Sequence, residues 1–277
     1  MAAFPPYITP LGRIWHYAFR IFCGAVLLFL IAPILVIIPL SFNMEPYFTY
    51  PIPGYSLRWY QDILNNDQWM LAIKNSILVG FFATIMATSL GTVAALGLSK
   101  QDLPFKSTII GVLISPMIVP LVITGVGMYF FYVNFDLTQS LLGLVIAHTV
   151  LGTPFVVITV TATLVGFDKS LIQAAASLGA TPVRTFFTVT LPLVLPGMIS
   201  GGLFAFMTSF DEIVVVLFLS GIEERTIPRQ MWSGIREQIS PTILAVATIL
   251  VILSIGMLTA LELLRRRNER LRGIRTT

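Results

Sequence analysis

The chain has 277 residues, 56% of them hydrophobic and 11% charged, with a formal net charge of +4 at neutral pH. That composition belongs to an integral membrane protein and leaves too few charged residues for a soluble nucleotide-hydrolysing domain. The small positive excess implies no nucleic-acid partner, because its distribution along the chain follows membrane topology.

A bilayer core takes about 20 apolar residues per spanning helix, and six runs reach that length: 18–40, 73–98, 109–132, 141–165, 196–219 and 243–264. They are apolar on all sides rather than alternating, which sets aside a membrane β-barrel. The expected fold is all-α, a polytopic membrane protein with six transmembrane helices in a single domain over residues 1–277.

The first run follows Arg13 and Arg20, is long, and lacks a small-residue cleavage site, so it reads as a retained helix and not a signal peptide. It contains Cys23, the single cysteine, which rules out an intrachain disulfide and a cysteine-based metal or redox site. In the connection 41–72, Pro46, Pro51, Pro53 and Gly54 break structure ahead of a short helix over 57–64 capped by Ser56. Trp59, Tyr60 and Trp69 there suit a water–lipid boundary. Lys74 and Asn75 mark the start of the second run.

Segments 99–106 and 133–140 read as plain connectors. Pro33, Pro39, Pro116, Pro120 and Pro154 are expected to kink or loosen their helices, while Gly125 and Gly127 permit close packing. His148 reads as a hydrogen-bonded packing residue, with a transport role as the alternative.

Segment 166–195 differs in kind. Asp168 is suited to cap a helix over 169–178, Gly179 supplies a stop, and Thr181 followed by Pro182 starts a second helix. Ala174, Ala175 and Ala176 allow close approach of another surface, with Leu171, Ile172 and Leu178 as apolar contacts. Phe186, Phe187 and Val189 are expected to turn back toward the membrane, and Pro192 and Pro196 to redirect the chain into the fifth run. Taken alone, such a hairpin could also be an amphipathic connector lying on lipid.

If the N-terminus lies in the cytoplasm, Arg13, Arg20, Lys100, Lys106, Lys169, Arg184 and the tail arginines 265, 266, 267, 270, 272 and 275 are inside, twelve of the 17 basic residues. Arg58, Lys74, Arg225, Arg229 and Arg236 are outside. This bias places both termini and segment 166–195 in the cytoplasm. The tail arginines read as an anchor at anionic membrane lipid.

Within the fifth run, Asp211 and Glu212 sit roughly 14 residues from its start, some 20 Å from the inner edge. Ionised carboxylates at that depth require water, a partner or a cation. They suit an acidic lining for a cationic substrate; pairing between helices or subunits, or a position near the outer surface, would accommodate them equally. Adjacent helical residues point about 100° apart, so both are not expected to serve one ammonium group.

The spacing in the hairpin, Gln173-Ala174-Ala175, then Gly179, then Val189, then Leu191-Pro192, resembles the EAA loop of permease subunits of binding-protein-dependent ABC importers, of the type I fold. That pattern has glutamate where Gln173 stands and isoleucine where Val189 stands; every spacing is kept. The resemblance runs from Ser56-Leu57-Arg58-Trp59-Tyr60 to the last helix. Ser209-Phe210-Asp211-Glu212, Ile227-Pro228 and Ser240-Pro241 make the chain similar to the spermidine/putrescine permease group.

The resemblance implies a transport subunit of a bacterial inner membrane that docks an ATP-binding subunit dimer through Gln173, Ala174, Ala175, Leu178, Gly179, Leu191 and Pro192. It also implies a second, different permease subunit and an extracytoplasmic substrate-binding protein. The solute would be a polyamine or related cation, with another solute as the alternative. Consistent with that division of labour, the chain has no GxxxxGK[ST] phosphate loop. A self-contained secondary transporter or channel is the alternative on the residues alone. An intramembrane enzyme lacks chemistry: no catalytic constellation, cofactor motif or metal-ligand set is legible among two histidines and one cysteine.

Overall fold

The computed structural model describes residues 9–100, 102–165, 168, 170–237 and 239–271, without the side chains of 261 and 264–271, so Lys169 and the side chains of the basic tail lie outside the described residues. The described helices are α1 (Pro10–Leu40), α2 (Arg58–Asn65), α3 (Asp67–Leu98), α4 (Lys106–Ile118), α5 (Leu121–Val133), α6 (Leu141–Val165), α7 (Ser170–Ser177), α8 (Pro182–Thr185), α9 (Leu191–Asp211), α10 (Val214–Leu219), α11 (Ile227–Glu237) and α12 (Pro241–Leu271). A π-helical turn, Phe186–Thr190, joins α8 to α9. The chain forms two units, one comprising Met1–Ile63 with Gln238–Val251, the other Leu64–Glu237 with Ile252–Thr277.

In the first unit, α1 starts at the side chain of Thr9, which accepts from the Gly12 N–H at 3.2 Å, with Pro10 at the first helical position. None of the residues of α1 is buried, and the helix is apolar along its length. The following loop folds back on itself. The Trp59 indole N–H donates to the Asn43 carbonyl at 2.6 Å, and the hydroxyls of Ser41 and Tyr60 lie 2.7 Å apart. Ser56 accepts from the Arg58 N–H at the start of α2, and Thr242 at the start of α12 donates to Asp62 at 2.8 Å. Trp59 is buried here, and Trp69 in α3 likewise, so these indoles pack inside protein instead of marking a water–lipid boundary. The indole N–H of Trp59 explains the difference, since a backbone carbonyl satisfies it without water.

The second unit is built on α3, α6 and α9. Small residues let these helices touch: a methyl group at Gly152 would come within 2.9 Å of the Ala205 Cβ, and one at Gly91 within 2.7 Å of the Val156 Cβ. Val79 clusters with Leu144, Val145, Leu151, Val215 and Leu219 at one end. Ala87, Ala95, Val156, Val160, Val194 and Ala205 cluster toward the other. Early residues of α3 thus meet early residues of α6, and late meet late, so the two run parallel, whereas α9 runs against them.

That parallel packing decides how the chain travels between them. Among the described residues, five helical stretches are long and apolar enough to cross a membrane alone, and α4 and α5 qualify as a pair bent by 105°. Because α3 ends and α6 begins at opposite ends of the core, α4 and α5 together must make one crossing, giving six. The run 109–132 is therefore a broken span and not a continuous helix. Pro120 has no N–H and disfavours helical backbone in the residue before it; Val119 is extended, with φ −70° and ψ 132°.

The fifth crossing also differs from the sequence expectation. Pro182–Asp211 forms one 30-residue helical stretch, so the second limb of the hairpin continues into the span instead of being redirected at Pro192 and Pro196. Pro192 cannot donate to a carbonyl four residues back, and the π-turn just ahead of it widens the backbone, with the Leu191 N–H reaching the Phe186 carbonyl. At its far end the helix stops at Asp211 and resumes only at Val214.

Candidate functional site

The hairpin holds its shape through local bonds. Asp168 accepts from the Ser170 N–H at 2.9 Å; this bond first, and the Ser170 hydroxyl second, hold the Asp168 carboxyl below its ordinary range. After α7 the backbone closes in a Schellman arrangement, with the Gly179 N–H on the Ala176 carbonyl (2.9 Å) and the Ala180 N–H on the Ala175 carbonyl (3.0 Å). Gly179 takes φ +78°, a conformation that residues with a Cβ adopt at a cost. Thr181 then accepts from the Arg184 N–H, with Pro182 at the first position of α8.

Packing leaves one side of this hairpin bare. Gln173, Ala174, Gly179 and Pro192 are exposed, Ala175 and Leu191 half-buried, and Leu178 is 88% exposed. Leu171, Ile172, Val183 and Phe187 are exposed as well, while Thr185 and Thr190 on the second limb are buried. Gln173 to Gly179 lie together on α7 and its stop; Leu191 and Pro192 lie beyond the π-turn, against which α7 packs. Phe187 is exposed, while Phe186 and Val189 are half-buried.

Asp211 and Glu212 part company. The Glu212 side chain is buried and its Oε1 accepts from the Val215 N–H at 2.8 Å, capping the start of α10. Asp211, at the last turn of α9, is exposed. Two residues earlier, Ser209 Oγ lies 2.7 Å from Nδ1 of the buried His148 on α6, whose Nε2 is buried without a hydrogen-bond partner among the described residues. An open, almost wholly apolar groove of about 580 Å³ runs along α3, α9 and α12, with Thr84, Thr88, Met198, Gly202, Phe206 and Leu253 among its walls.

The turn between α10 and α11 was not singled out by sequence reasoning, yet it is held by bonds from α3 and α11. The Asn75 side chain donates to the carbonyls of Glu223 (2.7 Å) and Arg225 (3.0 Å), and Ser76 accepts from the Ile227 N–H (2.8 Å). The Arg229 guanidinium donates to the carbonyls of Ser220 and Gly221 and to the Ser220 hydroxyl; burial lowers its pKa. A polar pair, Asn75-Ser76, inside an apolar run was the available signal. Among the described residues no group of three His, Cys, Asp or Glu side chains is gathered as a metal ion would need.

Six apolar crossings, with a helical hairpin exposed on one side between the fourth and fifth, are what the membrane-spanning part of a transporter needs. Residues 87–270 match the family described as the binding-protein-dependent transport system inner membrane component, and the chain belongs to that family. It is 31% identical over 248 residues to the spermidine/putrescine transport system permease protein PotC of Haemophilus influenzae, covering 90% of this chain and 96% of that protein. To the putrescine transport system permease protein PotI of Escherichia coli it is 32% identical over 255 residues, covering 89% and 90%.

Among solved structures, a bacterial ABC transporter involved in import of the acidic polysaccharide alginate matches with a TM-score of 0.69 at 16% identity, over 95% of this chain and 99% of that one. The MetNI methionine ABC transporter, in inward-facing conformations, matches at 0.53 and 19% identity, over 78% and 98%. These two likenesses are of fold. The chain is a multi-pass inner-membrane permease subunit of a binding-protein-dependent transport system.

Proposed function

We propose that this subunit passes a polyamine or a related small organic cation across the membrane, driven by ATP hydrolysis in a separate dimer of ATP-binding subunits docked on the hairpin. The observation that carries the reading is the bare hairpin: a self-capped element whose exposed Gln173, Ala174, Leu178 and Gly179, with Ala175, Leu191 and Pro192 at its flank, offer shape and apolar area without a fixed charge. With glutamine at 173, contact is by packing and amide hydrogen bonds.

In this reading both termini and the hairpin face the cytoplasm, following the distribution of basic residues. Residues 1–277 work as one transmembrane domain beside a second, different permease subunit. An extracytoplasmic binding protein delivers the solute to the other face. Asp211 is the carboxylate that meets the cation, being exposed at the end of the fifth crossing, and Glu212 holds the adjoining helix in position. The polyamine assignment draws support from what the permeases PotC and PotI are named for.

The test is copurification and uptake in a reconstituted importer. Gly179→Trp, at a position where an added Cβ meets nothing within 4 Å and the strain of φ +78° is confined to the exposed stop of α7, should abolish association with the ATP-binding subunits while the chain remains inserted. Intact assembly and uptake would remove the docking assignment. Asp211→Asn should lower putrescine or spermidine uptake by about tenfold, roughly 1.4 kcal/mol of lost transition-state stabilisation, with assembly retained; normal uptake of both cations would make Asp211 structural.

A further inference from the structure

The length of α6 separates two surfaces. Its 25 residues extend about 37 Å, more than the roughly 30 Å hydrocarbon core, so its ends lie on opposite sides of the bilayer. The hairpin follows the Val165 end. At the Leu141 end is a half-polar pocket of about 550 Å³, walled by Gln139, Ser220, Ile222, Glu223, Glu224 and Arg229.

The pocket is held from three directions. Asn75 and Ser76 fix the backbone at Glu223, Arg225 and Ile227 from α3. The Gln139 N–H, ahead of α6, donates to the Leu219 carbonyl at 2.7 Å, and Arg229 on α11 grips Ser220 and Gly221. Glu224 accepts from the Gly221 N–H at 3.0 Å. What these bonds leave over is informative. The exposed Glu223 carboxylate takes part in none of them, and beside it Ile222 stands 70% exposed on a turn that cannot fold away to cover it.

We propose that this pocket receives a lysine or arginine side chain of the extracytoplasmic binding protein, an inference that rests on the importer reading above. A long basic side chain lays an apolar stem and a charged head along one surface, which matches Ile222 next to Glu223, with Gln139 and Glu224 as further acceptors in the wall. Arg229 keeps its positive charge while it holds the turn, but Glu223 and Glu224 outnumber it in the lining and leave the pocket with an excess of one negative charge. A site fixed before contact loses little conformational freedom when its partner arrives, and an acidic rim speeds encounter with a basic partner in a salt-dependent way.

The test uses the complete importer, with its ATP-binding subunits and second permease, in lipid nanodiscs, and the binding protein that stimulates the wild-type assembly. Glu223→Arg should raise the Kd for that protein about tenfold or more and flatten its salt dependence, with copurification of the ATP-binding subunits as the control for folding. A lysine-to-glutamate change on the binding protein should restore binding to E223R. Ile222→Ala should weaken binding about threefold through lost apolar contact. Unchanged Kd in both variants would overturn the proposal. So would an unchanged Kd accompanied by a higher half-saturating solute concentration for uptake, which would assign the pocket to the free cation. If the wild-type assembly responded to no binding protein at all, the importer reading itself would fall instead.

Discussion

The hairpin and the α10–α11 turn are both exposed surfaces, but they are stabilised in different ways. Bonds within the hairpin reach from one residue to another two to five positions away, as at Asp168 to Ser170, Ala175 to Ala180 and Thr181 to Arg184. The turn has local bonds too, but it is also tied from far along the chain, Asn75 reaching Glu223 across 148 positions. A locally bonded element keeps its form wherever it is carried, so it can move as a body. A turn bonded to α3 stays where α3 is. The difference suits a hairpin that follows a moving partner and a turn that offers a fixed landing place.

Disturbing the core between them should abolish the distinction. A side chain at Gly201 would meet the Val156 Cα at 2.7 Å, so Gly201→Val forces α6 and α9 apart; it should cost about 3 kcal/mol or more. Unfolding in mixed micelles would register this as loss of stability at both surfaces together. Asn75→Ala should separate them. Losing two hydrogen bonds at about 1 kcal/mol each, it should speed hydrogen exchange at residues 223–227 and leave the hairpin amides unchanged. Equal acceleration at both would mean that the turn is not pinned independently. The smallest effect is expected from Thr181→Ala, which removes the cap of α8 for about 1 kcal/mol. It should speed exchange in the first turn after Pro182 without altering the far turn.

The crossings were legible because a bilayer demands long apolar runs, and the hairpin because Asp168, Gly179, Thr181 and Pro182 are each suited to one backbone role. Less legible was what prolines do in context. Pro120 breaks its span while Pro192 is absorbed by a π-turn and Pro33 and Pro39 sit inside α1; the outcome depends on how neighbouring backbone is satisfied, which a linear pattern does not carry. Asp211 and Glu212 are equivalent on paper, and the break in the helix between them and Val214 turns one into a cap. The partnership of Asn75 with the turn, and of His148 with Ser209, joins residues far apart in sequence. Polar residues in apolar runs announce that a partner exists, not which one.

The uninterrupted course from Pro182 to Asp211 carries a last consequence. Thirty residues at about 1.5 Å each make a stiff member of about 45 Å. A tilt of about 5° imposed at the hairpin end displaces the opposite tip by about 4 Å over that length, enough to carry Asp211 through the width of an atom. The wider backbone of the π-turn, Phe186–Thr190, is where such a member would yield first. Geometric amplification of a small rotation, with a compliant collar near its origin, is thus built into a single stretch of chain.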